Sequence, residues 1–225
     1  MNVRRHRFHV TVENDKELHE CIVCMLDTVI SFRTLGKFNK LEGERSYSVG
    51  SIGFYDEKLK VLSLTYTRIN CGSLRRHVIN NCSDFVKSLK ESSLDMGRIS
   101  LKFFYRTKNR WLFSDDMVFW EIWDFDVNKV ASDRSISEVE RKSQLVDSVL
   151  SIIQKITLVA QQSDIVPKIP DSYQIGNIFD TTFTNVQPYL HCFDYNKFSD
   201  PIENLTSRNV TSSMLKIFKN SLTFQ

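Results

Sequence analysis

Asn109-Arg110-Trp111-Leu112-Phe113-Ser114-Asp115-Asp116 lies between two runs that have the alternating pattern of β-strands. In the preceding run, Arg98 to Tyr105, residues 99, 101 and 103 are apolar around two polar residues. The following run, Trp120 to Val130, alternates Trp123, Phe125 and Val127 with Asp124, Asp126 and Asn128. Consecutive strands of this kind predict an antiparallel pair that is joined directly. The connection, residues 106–118, is longer than a tight hairpin turn and contains no glycine.

Two large aromatic residues lie in this connection, Trp111 and Phe113, among charged and small polar residues. One interpretation is that they fold back and cap the end of the core, which residue type alone favours. The other is an exposed aromatic finger that recruits a partner, because tryptophan is common among the anchors of protein interfaces.

Length and composition indicate one globular domain over residues 1–225. The chain is 41% hydrophobic and 25% charged, and its seven glycines and four prolines form no linker-like tract. The net charge of +3 is too small to indicate a polyanionic partner by itself.

The sequence predicts a cytoplasmic protein without a transmembrane segment. The basic N-terminus has no apolar stretch behind it, so it does not resemble a secretory signal. The most apolar long stretch, Val146 to Ala160, is interrupted by polar residues, which argues against a span. Five irregularly spaced cysteines favour free thiols in a reducing compartment.

The first half of the chain reads as strand, helix and hairpin. Phe8 to Val12 alternates, and Asn14 with Glu17 has capping-box spacing. The helix that follows carries an apolar stripe and is expected to end at Gly36; the stripe comprises Leu18, Ile22, Met25, Val29 and Phe32. A hairpin is predicted between residues 47–53 and 61–67.

Two further long helices and a late strand complete the pattern. Ser73 is the expected N-cap of a helix that buries Leu74, Val78, Phe85 and Leu89. Ser135 and Glu138 open the longest helix, whose predicted buried side comprises Val139, Val146, Val149, Ile153, Ile156 and Ala160. A strand at residues 189–193 and an amphipathic helix at 212–222 follow. The order predicts an α+β fold with helices on a largely antiparallel sheet.

Motifs for catalysis or metal binding are mostly missing. No glycine-rich phosphate loop is present, and Cys21 and Cys24 lack a second Cys/His pair at comparable spacing. Asp124 and Asp126 share one strand face, but the alternation indicates that they form its solvated side. Asp115 and Asp116 are adjacent in a loop, which does not make an acid/base pair. We therefore expect a protein that is not an enzyme and has no cofactor.

A nucleic-acid surface is a weaker alternative. Basic residues at 102, 106, 108 and 110 lie among aromatic residues at 103–105, 111 and 113, an arrangement found where bases stack on rings. The acidic pair at 115–116 and the small net charge argue against it, so no nucleic-acid partner is expected.

The segment 109–116, followed by Trp120-Glu121-Ile122-Trp123, resembles the finger segment of the autophagy-related protein 101 family. Two more segments are similar to that family: Gly36-Lys37-Phe38 with residues 47–53, and residues 167–170 through 177–181 to 186–190. Together they span most of the chain in the family's order.

The resemblance implies a HORMA domain: three main helices on one face of a largely antiparallel sheet, with a C-terminal wrapping segment over about residues 164–225. It also implies a non-catalytic adaptor that forms a heterodimer with the HORMA domain of autophagy-related protein 13. This adaptor would belong to the autophagy-initiating kinase complex and be recruited to the preautophagosomal site. The finger residues Trp111, Leu112 and Phe113 would recruit downstream autophagy factors, which favours the exposed finger over the core cap.

Leu112 departs from this resemblance, because animal relatives commonly have proline there and proline would stiffen the loop. For the heterodimer face we select Val29, Phe32 and Phe38, at the end of the first helix and its following turn. Phe32 ends an otherwise inward stripe, so a core role is an equal alternative for it. Two alternative functions remain at this point: a HORMA adaptor of the spindle-checkpoint or meiotic kind that binds a peptide, and the nucleic-acid binder.

Overall fold

The computed structural model describes residues 3–40, 47–108, 115–131, 135–162, 164–171 and 173–198. Its elements in chain order are β1 (Arg4–Val12), α1 (Asp15–Phe32), β2 (Thr34–Gly36), β3 (Phe38–Lys40), β4 (Tyr47–Val49), β5 (Phe54–Leu59), β6 (Leu64–Ile69), α2 (Gly72–Ser92), β7 (Met96–Lys108), β8 (Asp115–Lys129), α3 (Glu138–Ala160), α4 (Ile175–Ile178), β9 (Val186–Pro188) and β10 (His191–Phe198).

The main sheet has the strand order β1-β8-β7-β10. The antiparallel pair predicted from the two alternating runs is confirmed as β7 and β8, and β10 pairs antiparallel with the other edge of β7. β1 is parallel to β8. The helices α1, α2 and α3 pack against this sheet, with α1 in contact with both of the others. The α+β prediction is confirmed, and the arrangement is consistent with a HORMA-like fold.

The central helix α1 is buried almost throughout because it lies between two helices and the sheet. Its N-cap is Asn14, as predicted, and the side chain accepts hydrogen bonds from the backbone N–H groups of Lys16 and Glu17. The carboxylate of Glu17 bonds to the N–H of Glu13, one residue before the position expected for a capping box. The helix ends at Phe32 and not at Gly36, which lies in β2.

The other two long helices form near their predicted places. In α2 the four predicted core residues are buried, but the N-cap is Cys71, without a side-chain hydrogen bond, instead of Ser73. The N-cap of α3 is Ser137, which accepts from the N–H of Glu140. The buried side of α3 is rotated from the prediction: it comprises Leu145, Val149, Ile152, Ile156 and Ala160.

The predicted hairpin between residues 47–53 and 61–67 is wrong, because each half pairs elsewhere. β4 pairs with β3, and β6 pairs with β5. The turn of the β5–β6 hairpin rests on α1, where the carboxylate of Glu20 accepts from the backbone N–H groups of Lys60, Val61 and Leu62 at 2.9–3.0 Å. Long-range capping of this kind leaves no local sequence pattern.

The C-terminal part of the described chain pairs with β2, which follows α1, and with β7. β9 pairs antiparallel with β2, and the strand predicted at residues 189–193 is found as the start of β10. The helix predicted at residues 212–222 lies outside the described residues.

Two glycines allow the segment after α1 to pack closely. A Cβ atom on Gly36 would overlap the carbonyl oxygen of Gly50, whose N–H donates to the carbonyl of Lys37 at 2.8 Å. Gly36 is therefore required by a close approach of two backbones.

We expect Gly36→Ala to lower the free energy of unfolding by about 1–3 kcal/mol, because the methyl group forces the two backbones apart. Denaturant unfolding followed by circular dichroism measures the change. Gly176→Ala is the matched control, since no atom lies within 4 Å of its added Cβ. Equal stabilities of the two variants would contradict this explanation.

Candidate interaction surfaces

The finger connection is shorter than the sequence indicated. β7 and β8 stay paired as far as Lys108 and Asp115, so residues 109–114 lie between the strands instead of residues 106–118. The predicted recruiting residues Trp111, Leu112 and Phe113 lie outside the described residues. We call the paired ends of the two strands, residues 104–108 and 115–119, the stem.

A β-bulge separates this stem from the core of the sheet. Phe103 is opposite Glu121 and Phe104 is opposite Phe119, so Trp120 is the extra residue on β8. Both phenylalanines on β7 are buried, as is Trp120. Beyond the bulge the stem exposes Met117, whose accessible fraction is 56%.

The polar face of the sheet is closed by its own ion pairs. Asp124 and Asp126, predicted to be solvated, are 2% and 3% exposed. Asp126 accepts from Arg98 at 2.5 and 3.1 Å, and Asp124 accepts from the hydroxyl of Ser100 at 2.6 Å. The alternation located the face correctly, but the prediction of solvation was wrong because long side chains from neighbouring strands cover the carboxylates.

The described strands do not provide a stacking platform for bases. Phe103 and Phe104 are 0% and 5% exposed, so their faces are not available. The ammonium group of Lys102 is 2.7 Å from the carboxylate of Asp194 and is thereby partly neutralised. Two of the aromatic rings and one of the cations on which the single-stranded nucleic-acid hypothesis depends are therefore not available to a nucleic acid.

Within the described residues, no three His, Cys, Asp or Glu side chains are grouped so as to hold a metal ion. Cys21 and Cys24 are buried, as their helical spacing indicated, and burial raises the pKa of both thiols. Burial lowers the pKa of His191 to about 4, so this ring is neutral at pH 7. These groups have the properties of packed core residues.

The three residues selected as a heterodimer face have different environments. Val29 is fully buried, so its side chain is part of the core and is not available to a partner in this structure. Phe32 is 40% exposed at the end of α1, which excludes its alternative reading as a core residue. Phe38 is half-buried, with its ring 4.9 Å from Tyr47 and 5.0 Å from Phe179.

A buried ion pair lies immediately behind Phe32. Nε and Nη2 of Arg33 donate to the two carboxylate oxygens of Glu121 at 2.7 and 2.8 Å, in a bidentate pair. Nη1 of Arg33 also donates to the carbonyl oxygen of Ala160, the last residue of α3, at 2.9 Å. Nε2 of His6 lies 3.5 Å from the carboxylate of Glu121. One guanidinium therefore connects the end of α1, the middle of β8 and the end of α3.

The electrostatics of Glu121 follow from these contacts. Burial alone would raise its pKa, but the hydrogen bonds and the charge of Arg33, with His6 close by, outweigh burial and lower the pKa to about 2. The carboxylate is therefore ionised at neutral pH.

The outer side of α3 is exposed and poor in charge. Between residues 143 and 162 its exposed positions include only two charged residues, Asp147 and Lys155; the others are Ser143, Gln144, Ser148, Leu150, Ser151, Gln154, Leu158, Gln161 and Gln162. Leu158 is 67% exposed. We call Phe32, Leu150 and Leu158 the α1–α3 face. Depletion of charge around exposed apolar side chains is typical of protein interfaces.

By length and composition alone, α3 is long and apolar enough to cross a membrane, and core helices also meet this criterion; the absence of a transmembrane segment stays a prediction. Only 28% of its most apolar 18-residue window is buried inside the structure. The inner stripe of α3 belongs to the core of this fold, and Leu150 and Leu158 remain exposed on its outer side.

Sequence reasoning missed the Arg33–Glu121 pair, although one signal was present. Continuing the inward alternation of Phe125 and Trp123 by two residues places Glu121 on the core side of β8. A carboxylate in that position requires a buried partner. Nothing local identified Arg33 as that partner, since the two residues are 88 positions apart.

The chain is similar over most of its length to a family of known proteins. The sequence profile of the family described as "Autophagy-related protein 101" matches residues 9–173. Proteins with that name from Xenopus tropicalis, Mus musculus and Homo sapiens are each 32% identical to the chain. The alignments cover 99% of this chain and 99% of each relative.

We expect Glu121→Gln to lower the free energy of unfolding by about 3 kcal/mol at neutral pH, because Arg33 loses its charged partner. The folded-state pKa of about 2 lies below the ordinary 4.5, so the contribution of Glu121 is complete above pH 4.5. It is lost as the pH falls toward 2, and the wild type and the variant should then converge.

Urea unfolding between pH 2 and pH 7 tests this prediction. Glu91→Gln is the control, since Glu91 forms an exposed pair with Lys87 and should change stability little at any pH. A constant difference between wild type and Glu121→Gln across this range would refute the assignment.

Proposed function

The chain belongs to the autophagy-related protein 101 family and acts in autophagy, and from this premise we propose that it is a non-catalytic adaptor in autophagy initiation. In this proposal residues 1–225 form one HORMA domain that pairs with the HORMA domain of autophagy-related protein 13 and stabilises it. The pair belongs to the autophagy-initiating kinase complex, works in the cytoplasm and is recruited to the preautophagosomal site.

The observation that carries the pairing is the α1–α3 face. Its apolar side chains are exposed on α3 and at the end of α1, and residues 143–162 expose only two charged residues, Asp147 and Lys155. Arg33, which follows Phe32, donates to the carbonyl of Ala160, which is two residues beyond Leu158, so the ends of α1 and α3 are joined. A folded protein domain with an apolar surface is the partner that such a face fits.

In the proposal, Trp111, Leu112 and Phe113 form a second surface that recruits downstream autophagy factors. This recruiting role is supported by the family membership and by the long paired strands that precede and follow these residues in the chain. The described core is packed around other aromatic side chains, among them Trp120 and Trp123, which are 1% and 0% exposed. The two surfaces belong to different elements, so each can be disrupted separately.

We expect Phe32→Asp with Leu158→Asp to weaken binding to the HORMA domain of autophagy-related protein 13 at least about tenfold, because each carboxylate must be desolvated at the interface. Isothermal titration calorimetry with the two purified domains measures the change. Phe54→Asp is the control, since Phe54 is 62% exposed on β5, outside this face. An unchanged Kd in the double variant would overturn the assignment of the α1–α3 face.

We expect Trp111→Ala with Phe113→Ala to leave the fold and the HORMA pairing intact while autophagosome formation falls, since only recruitment is lost. Thermal unfolding, calorimetry and counts of autophagosomes in cells measure the three properties. Trp120→Ala is the contrast, because removing a buried tryptophan should lower stability by about 3–5 kcal/mol. Comparable loss of stability in the finger variant would restore the core-cap interpretation of Trp111 and Phe113.

A further inference from the structure

The Arg33–Glu121 pair is more than an isolated buried contact. The side chain of Arg33 is 3% exposed and that of Glu121 is 0% exposed, so both charges are removed from water. The centre of the Trp120 ring lies 5.9 Å from the guanidinium carbon of Arg33, and the rings of His6 and Trp123 are tilted against each other with their centroids 4.2 Å apart. All these groups belong to the junction where β1, α1, β8 and α3 meet.

Burial of an ion pair is a poor way to stabilise a fold. Desolvation of the two charges offsets most of their attraction, and apolar replacements of similar volume are often as stable. The contribution of such a pair is better sought in the geometry that it imposes. A bidentate pair with a third hydrogen bond fixes the distance and angle between the groups that it joins.

The groups joined here are those that present the α1–α3 face. Arg33 directly follows Phe32, and its acceptor Ala160 is two residues beyond Leu158. The backbone of Arg33 makes a further contact: its carbonyl oxygen accepts a hydrogen bond from the N–H of Tyr189 at 2.9 Å. The ends of α1 and α3 are therefore joined by one guanidinium that is almost completely buried.

We propose that Arg33 and Glu121 are positioning residues for partner binding: without touching the partner, they hold the ends of α1 and α3 at the spacing that the α1–α3 face requires. This inference rests on the proposed function. Its physical basis is that an interface between two folded domains requires shape complementarity, so a small displacement of one helix end reduces the affinity.

The test separates positioning from general stability by comparing two ion pairs, one made by the residue that ends α1 and one made within α1. The first variant is Arg33→Met with Glu121→Leu, which removes both charges and fills the space. The matched control is Arg75→Met with Asp27→Leu. Asp27 on α1 accepts from Arg75 on α2 and from the hydroxyl of Tyr66 at 2.5 Å, away from α3.

We expect both double variants to fold with melting temperatures within about 5 °C of each other. Calorimetry should show at least about tenfold weaker binding of the HORMA domain of autophagy-related protein 13 by the Arg33/Glu121 variant, and a change below about twofold in the control. Faster hydrogen exchange at the amide of Tyr189 should occur only in the Arg33/Glu121 variant. Equal affinities of the two variants would overturn the inference.

Arg33→Lys provides the same test if the double variant does not fold. Lysine keeps the charge beside Glu121 but cannot make the bidentate pair and reach Ala160 together. Weaker partner binding by folded Arg33→Lys supports the inference, and wild-type binding overturns it. The proposed function fails separately, if the wild type does not bind the partner or if Phe32→Asp with Leu158→Asp binds normally.

Discussion

One buried guanidinium holds together elements that are far apart in the chain. Arg33 bonds to Glu121 across 88 residues and to the carbonyl of Ala160 across 127 residues. Both acceptors are shielded from water, so replacing either contact with solvent is costly. These bonds join the ends of α1 and α3 to β8. Phe32 and Leu158 are exposed near the joined ends.

Much of the fold could be predicted because local patterns controlled it. The alternation in residues 98–105 and 120–130 gave the antiparallel pair, and Asn14 gave the start of α1. The four core residues of α2 followed from helical spacing. In each of these cases one face of the element is buried and the other is not, which is the situation in which periodicity is informative.

The failures share a different physical origin, which is contact between residues distant in sequence. The partner of β4 was β3 and not β6, because the close approach of Gly36 and Gly50 places β4 beside residues 38–40. Asp124 and Asp126 were buried by arginines from other strands, and Val139 was 81% exposed although it fitted the helical stripe. Of the candidate site, Phe32 could be proposed from its position at a helix end. Leu158 and the Arg33–Glu121 pair required the tertiary structure.

The bulge at Trp120 has a consequence for the orientation of the finger. Alternation in a strand has a period of two, so one additional residue exchanges the sides on which all later side chains lie. Upstream of the bulge, β7 directs Ile99, Leu101 and Phe103 into the core. Lengthening or shortening β8 in the stem by two residues would therefore keep each stem side chain on its side of the sheet, whereas a change of a single residue would exchange the two sides.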